Sequence, residues 1–508
     1  MSKTRICLLN AIGSLTHLIV LTVVGLVVTR TMIVHYGSDY NGINSTVIQI
    51  ANSLMVLELG FVLASNVALF KPLINNDVKK INGILSATRI RFIYISILAF
   101  FIGIILSVIY PLVANTAMPK LMLFGLMLTV IVPVILNFGI NMKYKALILA
   151  SQKEYVISFV SAGSCIIGNV FAVILIVNDF NILVARVPIM VSTLLGYAYI
   201  GYTCWRKFPF VRYDVNPLFS EIKGTKDVIF LNIMSISYSS LPIIVISTLP
   251  DGGSLYASVY AVYRMISNLP AYALKSISAA PRLSFGALFA EGCNTVVKKY
   301  FEEYEMVICM ALAVILGTTC IVFFPFIKLY TAGIHDISYI NVNMALLVLS
   351  IIFIEVIHIP SGQIILMKGD FIAARKIQFC GCIIILFAMV ISRIYFGYIG
   401  ILASIFLAAV FLFTAEVYYT SVKILHRGIV PFFKNMFPAL FVVICCMLIG
   451  LKIEIVMKNY VMFFFWLSFC SIIISTITFV IYFILKRHDV MSVLKKLLIA
   501  ASFRYKRA

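Results

Sequence analysis

Fourteen stretches of mostly apolar residues recur from one end of this 508-residue chain to the other. A helix needs about 20 such residues to cross a bilayer, because each residue adds about 1.5 Å along the axis. Of all residues, 62% are hydrophobic and 12% are charged, whereas roughly 25% of a soluble domain is charged. A soluble fold cannot bury that much apolar surface. The sequence therefore predicts an all-α polytopic membrane protein.

We predict about 14 transmembrane helices with short connections between them. The predicted spans are 11–34, 43–69, 92–113, 121–141, 155–177, 182–203, 227–249, 255–278, 304–327, 341–366, 377–396, 399–422, 436–457 and 459–485. The longest connections have about two dozen residues, so a soluble catalytic domain is not expected on either side of the membrane.

The basic residues predict the orientation of these helices. The chain has 40 Lys and Arg against 19 Asp and Glu, a formal charge of +21. If the N-terminus is placed inside, 31 of the cations fall on that side and only 4 on the other. The positive-inside rule then predicts that both termini are cytoplasmic. Because the cations lie between apolar spans, no nucleic-acid partner is predicted, and the eleven cysteines show no metal-binding spacing.

Polar side chains within the spans are candidates for a substrate pathway, since a charge at membrane depth costs a few kcal/mol. Arg264 is the tenth residue of its span and would lie about 14 Å down the helix. Asn, Ser and Gln recur at helical spacing in other spans, where hydrogen bonding between packed helices is the alternative interpretation. The substrate-binding candidates are Arg264, Arg30, Asn232, Ser235, Gln49, Asn52 and Lys275.

Three further residues are candidates for ion coupling. Glu355 and His358 lie at i, i+3 on one face of a span, where a carboxylate and an imidazole can exchange a proton near neutral pH. Pro360 follows and predicts a kink. The alternative is a hydrogen-bonded pair that joins two helices. Glu58 is the third candidate, and an ion pair with Arg264 would be the structural alternative for it.

The two halves of the chain share a weak internal similarity. A long predicted helix, a short turn rich in Gly, Asp, Ser and Tyr, and a second long helix occur around 35–42 and again around 249–256. Duplicated halves with a site between them are a transporter pattern. We predict an N-terminal six-helix lobe (1–203), a cytoplasmic linker (204–226), a C-terminal six-helix lobe (227–424), and two additional helices with a basic tail (425–508).

Several short motifs resemble those of a known family. Span 1 ends in Arg30 before a turn containing Tyr36, Gly37, Tyr40 and Gly42. The further motifs are Leu57–Phe61, Tyr260–Arg264, Pro281–Ser284, Leu288–Gly292 and Met367–Asp370. In order and spacing, over the whole length, the chain resembles the polysaccharide flippases of the multidrug/oligosaccharidyl-lipid/polysaccharide exporter superfamily, and among them the bacterial O-antigen repeat-unit flippases.

This resemblance implies two six-helix lobes around a central cavity. It implies a non-enzymatic flippase that moves an undecaprenyl-diphosphate-linked oligosaccharide from the cytoplasmic to the periplasmic leaflet of the inner membrane by alternating access. A proton or sodium gradient would supply the energy, no cofactor is needed, and a polysaccharide polymerase and a chain-length regulator would be further partners. The alternatives are a multidrug/cation antiporter of the same superfamily, a polymerase, which usually has a larger outer loop, and a structural scaffold.

Overall fold

The fold is known from a computed structural model, which describes residues 3–222, 230, 234–279, 281, 285, 288, 289, 294–452, 455 and 457–505. The structure is 87% helix, and no strand occurs among the described residues. Asn232 and Arg282 fall outside this part of the chain, as do residues 223–226 at the end of the connection after the sixth predicted span and several interior residues of the connection after the eighth.

The first half consists of long helices. In order, they are α1 (Lys3–Ile74), α2 (Val78–Val113), α3 (Lys120–Leu136), a π-helical turn (Asn137–Asn141), α4 (Met142–Ala150), α5 (Glu154–Val177) and α6 (Ile182–Lys207). Helix α1 is broken at Gly37, where φ is +85°. Glycine adopts this conformation without the steric penalty of a Cβ, and the break divides α1 into a first and a second arm.

The second half contains shorter helices as well as long ones. They are α7 (Leu241–Ser247), α8 (Gly253–Ala279), α9 (Asn294–Tyr330), α10 (Val342–Ile357), α11 (Ile359–Met367), α12 (Phe371–Tyr395), α13 (Gly397–Tyr418), a π-helical turn (Tyr419–Ile424), α14 (Val430–Lys452), α15 (Tyr460–Leu485) and α16 (Arg487–Tyr505).

Eleven of the described helices are long and apolar enough to cross a membrane. The number is smaller than fourteen for three reasons. Helix α1 carries two predicted spans in one broken helix, the described part of the 227–249 span holds only short helical pieces, and α8, which corresponds to the 255–278 span, is not among the eleven. Many large apolar side chains are exposed along these helices, as lipid contact requires. The prediction of an all-α, multi-pass membrane protein is confirmed.

The chain forms two compact units. The first unit comprises Met1–Val262 with Ile334–Ile337; in it, α5 packs along α6 and along α1. The second comprises Tyr263–Gly333 with Ser338–Ala508; in it, α9 packs along α14 and α15, and α12 along α13. The lobe boundaries proposed from the sequence stay a prediction.

Candidate functional site

The break between α10 and α11 organises a polar cluster in the second unit. Helix α10 ends at Ile357 and α11 begins at Ile359, with Pro360 in its first turn. Proline has no backbone N–H and its ring collides with the carbonyl four residues earlier, so it kinks or breaks a helix. The kink predicted at Pro360 is confirmed, and His358 lies at the break.

His358 pairs with a carboxylate from another helix. Its Nε2 lies 3.8 Å from Oε2 of Glu416, near the end of α13, and both side chains are about nine-tenths buried. Gln378 on α12 donates a hydrogen bond from Nε2 to Oε1 of Glu416 at 3.1 Å. Nδ1 of His358 is buried and has no hydrogen-bond partner in the described part of the protein. At 3.8 Å the two groups are beyond hydrogen-bond distance, and they form an ion pair only when the imidazole is protonated.

Glu355 has a different partner from the one the sequence pattern indicates. Its Oε2 lies 3.9 Å from Nζ of Lys275 on α8, and no ion pair joins Glu355 to His358 among the described residues. The i, i+3 relation assumes an unbroken helix, whereas α10 ends between the two positions. In place of the expected Glu355–His358 pair, the structure has two separate pairs, Glu355–Lys275 and His358–Glu416.

Glu416 is held between two irregular stretches of backbone. A Cβ on Gly362 of α11 would lie 2.5 Å from Oε2 of Glu416, so a larger residue there would displace the carboxylate from this position. Three residues beyond Glu416 the chain enters the π-helical turn that begins at Tyr419. In this turn the hydroxyl of Thr420 donates to the carbonyl of Ser361 at 2.9 Å. Such π-turns are rare and frequently occur at functional sites.

The first unit has a comparable buried carboxylate. Nδ2 of Asn137 donates to Oε2 of Glu58 at 3.0 Å, and Nζ of Lys145 lies 3.9 Å from Oε1. Asn137 opens a π-helical turn and accepts a hydrogen bond from Asn141 at 2.9 Å. Because Asn137 and Lys145 compensate Glu58 within its own unit, an ion pair with Arg264 is not required to stabilise the carboxylate.

The other predicted substrate residues lie on several helices. Arg30 on the first arm of α1 and Arg264 on α8 are partly buried, and Asn52 and Ser235 are exposed. Gln49 accepts a hydrogen bond from the hydroxyl of Ser240 at 3.2 Å. Asn232 lies outside the described residues. The assignment of these side chains to a substrate pathway stays a prediction.

Sequence reasoning missed three members of the two clusters. Glu416 is a lone acidic residue within the predicted span 399–422, and that signal alone could have identified it. Lys145 and Gln378 lie in or beside predicted spans, but nothing in their sequence neighbourhood indicates a carboxylate partner.

The structure defines an all-helical, multi-pass membrane protein with a buried carboxylate beside a π-turn in each of its two units. No family model and no curated protein matches the sequence. Solved structures do share its fold. The lipid II flippase MurJ, in an inward closed conformation, is 13% identical, with a TM-score of 0.63, over 94% of this chain and 99% of that one.

Two multidrug transporters also share the fold. The MATE multidrug transporter DinF-BH is 15% identical, with a TM-score of 0.57, over 84% of this chain and 97% of that one. An inward-facing MATE family transporter of the MOP superfamily is 12% identical, with a TM-score of 0.54, over 80% of this chain and 98% of that one. The chain therefore has the fold that these three transporters share.

Proposed function

We propose that this protein is a flippase, not an enzyme, and that it moves an undecaprenyl-diphosphate-linked oligosaccharide across the bacterial inner membrane by alternating access. The substrate would be an O-antigen or similar surface-polysaccharide repeat unit. The observation that carries this proposal is the similarity over 94% of the chain to a flippase of a lipid-linked substrate. The similarity to the two multidrug transporters extends over less of this chain, 84% and 80% of its length.

The candidate side chains suit the chemistry of such a substrate. A diphosphate needs cations, and a guanidinium can bind it through two parallel hydrogen bonds, which favours Arg264 and Arg30 as its ligands. Sugar hydroxyls need neutral donors and acceptors such as those of Gln49, Asn52 and Ser235. None of these groups selects one glycan over another.

We assign ion coupling to the His358–Glu416 pair, with Glu355 and Glu58 as further candidates. Transport against a gradient requires two conformations that differ in affinity for the coupling ion, because only differential binding shifts an equilibrium. Glu416 touches both α11, at Gly362, and α12, at Gln378. A movement of either helix would change the surroundings of the carboxylate, and with them its affinity for a proton or a sodium ion.

The proposal can be tested in proteoliposomes that contain undecaprenyl-diphosphate-linked glycan in one leaflet. A water-soluble glycan-modifying probe measures how much glycan reaches the other leaflet when a proton or sodium gradient is imposed. Arg264→Ala should abolish transfer, and Arg264→Lys should restore part of it, because lysine keeps the charge but not the two-pronged geometry. The matched control is Arg393→Ala, an exposed position at the end of α12, which should transport normally.

Ion coupling is tested in the same vesicles with Glu416→Gln. This variant keeps the shape and hydrogen-bonding capacity of the side chain but cannot ionise, so gradient-driven transfer should fall to the rate seen without a gradient. Normal coupling in this variant would exclude Glu416 and leave Glu355 and Glu58. Absence of any glycan transfer by the wild-type protein would contradict the proposed function itself.

A multidrug/cation antiporter is the second candidate, because two multidrug transporters share the fold. The vesicles discriminate between the two functions when a fluorescent cationic dye replaces the glycan. Gradient-driven dye movement without glycan transfer would favour the antiporter.

A further inference from the structure

One end of the first unit holds a group of basic side chains that have no acidic partner among the described residues. This end is the one that the charge distribution predicts to be cytoplasmic, and we call it the inner end. Arg89 and Arg91 lie on α2, and Lys143 lies on α4. In the part of the chain that the structure describes, none of the three forms an ion pair with a carboxylate. The charged neighbour of Lys143 is Arg89, a second cation.

Aromatic rings flank Lys143 and Arg91, while Nη1 of Arg89 donates to the carbonyl of Tyr213 at 3.5 Å. Nζ of Lys143 lies 4.8 Å from the ring centre of Tyr144 and 5.0 Å from that of Tyr213, and the two rings are nearly perpendicular. The guanidinium of Arg91 lies 5.8 Å from Phe61 and 5.5 Å from Phe219. Cation–π contacts orient a cation without neutralising its charge. Nη1 of Arg91 is buried and has no hydrogen-bond partner among the described residues.

The connection that supplies Tyr213 is itself docked on α2. The hydroxyl of Ser86 donates to the carbonyl of Val215 at 2.7 Å, and Nδ2 of Asn82 donates to that of Phe210 at 3.2 Å. The backbone N–H of Leu218 donates to the carbonyl of Gly83 at 3.0 Å. The cations and rings thus form a preorganised group.

Helix lengths place this group at the level of lipid headgroups. Lys143 lies 23 residues after Lys120, the first residue of α3, which corresponds to about 35 Å of helix. Arg89 lies 24 residues before Val113, the last residue of α2, or about 36 Å. The hydrocarbon core is about 30 Å thick, so both helices carry their cations just past it, where lipid phosphates lie.

We propose that Arg89 and Lys143, which both adjoin Tyr213, form a binding site for the phosphate of a membrane-lipid headgroup, with Arg91 two residues further along α2 adding positive charge to the same end of the helix. The three side chains are partly exposed, so a headgroup can reach them. A phosphate supplies the negative charge that the described residues do not provide here, and a guanidinium binds it through parallel hydrogen bonds. The site is built within the first unit and does not depend on the proposed transport function. A glycerophospholipid of the bilayer and a polyprenyl diphosphate both offer this phosphate chemistry.

The test is native mass spectrometry of the purified full-length chain, titrated separately with phosphatidylglycerol and with undecaprenyl diphosphate. Arg89→Gln/Lys143→Gln should weaken binding of the recognised lipid at least tenfold, a loss of about 1.4 kcal/mol. The matched control is Lys79→Gln/Lys80→Gln, which removes the same charge from exposed positions near the start of α2 and should change affinity by less than about twofold. The lipid that binds more tightly identifies the source of the phosphate.

A charge-conserving variant, Arg89→Lys/Lys143→Arg, separates lost binding from lost folding. It should stay within about threefold of the wild-type affinity, since the charge of the site is kept. Equal weakening in the site variant and the control would mean that only net surface charge matters, and would overturn the proposal. So would failure of the wild-type protein to retain either lipid.

Discussion

The inner ends of the two units use basic residues in opposite ways. In the first unit, Lys143 lies against two aromatic rings and Arg89 donates to the carbonyl of Tyr213, and neither pairs with a carboxylate among the described residues. In the second unit, Arg427 is almost fully buried, and its Nη2 contacts both carboxylate oxygens of Glu305 at 2.6 Å. Its Nη1 lies 3.4 Å from Glu302. The basic residues of the first unit can therefore bind an external anion, whereas Arg427 of the second unit forms ion pairs within the protein.

The second unit extends this pattern to the C-terminal helix. Lys496 on α16 forms an ion pair with Glu303 on α9, and the hydroxyl of Ser492 donates to the same carboxylate at 2.9 Å. Nζ of Lys496 also lies 4.1 Å from the ring centre of Tyr300. Three neighbouring acidic residues of α9 therefore connect the helix to Arg427 and to α16. A count of basic residues along the sequence does not distinguish these paired cations from the cations of the first unit, which have no carboxylate partner among the described residues.

The largest expected effect comes from breaking the Arg427 pair. Arg427→Met leaves the carboxylate of Glu305 buried without its partner, which typically costs about 3–5 kcal/mol of folding free energy. The midpoint of thermal unfolding of the purified protein measures the loss. The matched control is Lys423→Met, which removes a charge from an exposed position four residues earlier and should cost less than about 0.5 kcal/mol.

A double variant checks the physical reason for that loss. Arg427→Met/Glu305→Gln removes the uncompensated charge, so part of the stability should return, and the coupling between the two positions should be well above about 1 kcal/mol. If the single variant is as stable as the control, the pair is not what holds this end together, and the contrast between the two units fails.

An intermediate effect is expected from loosening the connection in the first unit. A Cβ on Gly83 would lie 2.7 Å from two side-chain carbons of Leu218 and 3.3 Å from the carbonyl oxygen of Asn216. Gly83→Ala should therefore displace residues 208–222 from α2, at a cost of about 1–3 kcal/mol. Hydrogen–deuterium exchange of this segment should rise, while exchange around Arg427 should not change. Gly163→Ala, where a Cβ meets nothing within 4 Å, is the control, and equal exchange in both variants would contradict the docking.

Much of this fold could be predicted from the sequence, because membrane-spanning helices follow from apolar length alone. The Gly37 break and the kink at Pro360 coincide with the turn and the proline that predicted them. The pairing of His358 with Glu416 could not be predicted, since 58 residues separate them and their contact depends on how closely α11 approaches α13 at Gly362. The π-turns likewise arise from packing, and no residue pattern indicates them.

The smallest expected effect concerns pH and the connection before α12 in the second unit. The hydroxyl of Tyr419 and the backbone N–H of Ala373 donate hydrogen bonds to Asp370, and both lower the pKa of Asp370 below its ordinary value. A carboxylate whose pKa is lower in the folded state stabilises the protein above its unfolded-state pKa, and this contribution is lost as the pH falls through the folded-state pKa.

Tyr419→Phe removes the stronger of the two hydrogen-bond donors to Asp370. Its unfolding midpoint should therefore lie slightly below that of the wild type near pH 7, and the gap should close below about pH 4. Tyr418→Phe, at an exposed neighbouring position, is the control and should match the wild type throughout. A gap that persists unchanged at low pH would mean that Tyr419 stabilises the turn by packing and not through Asp370.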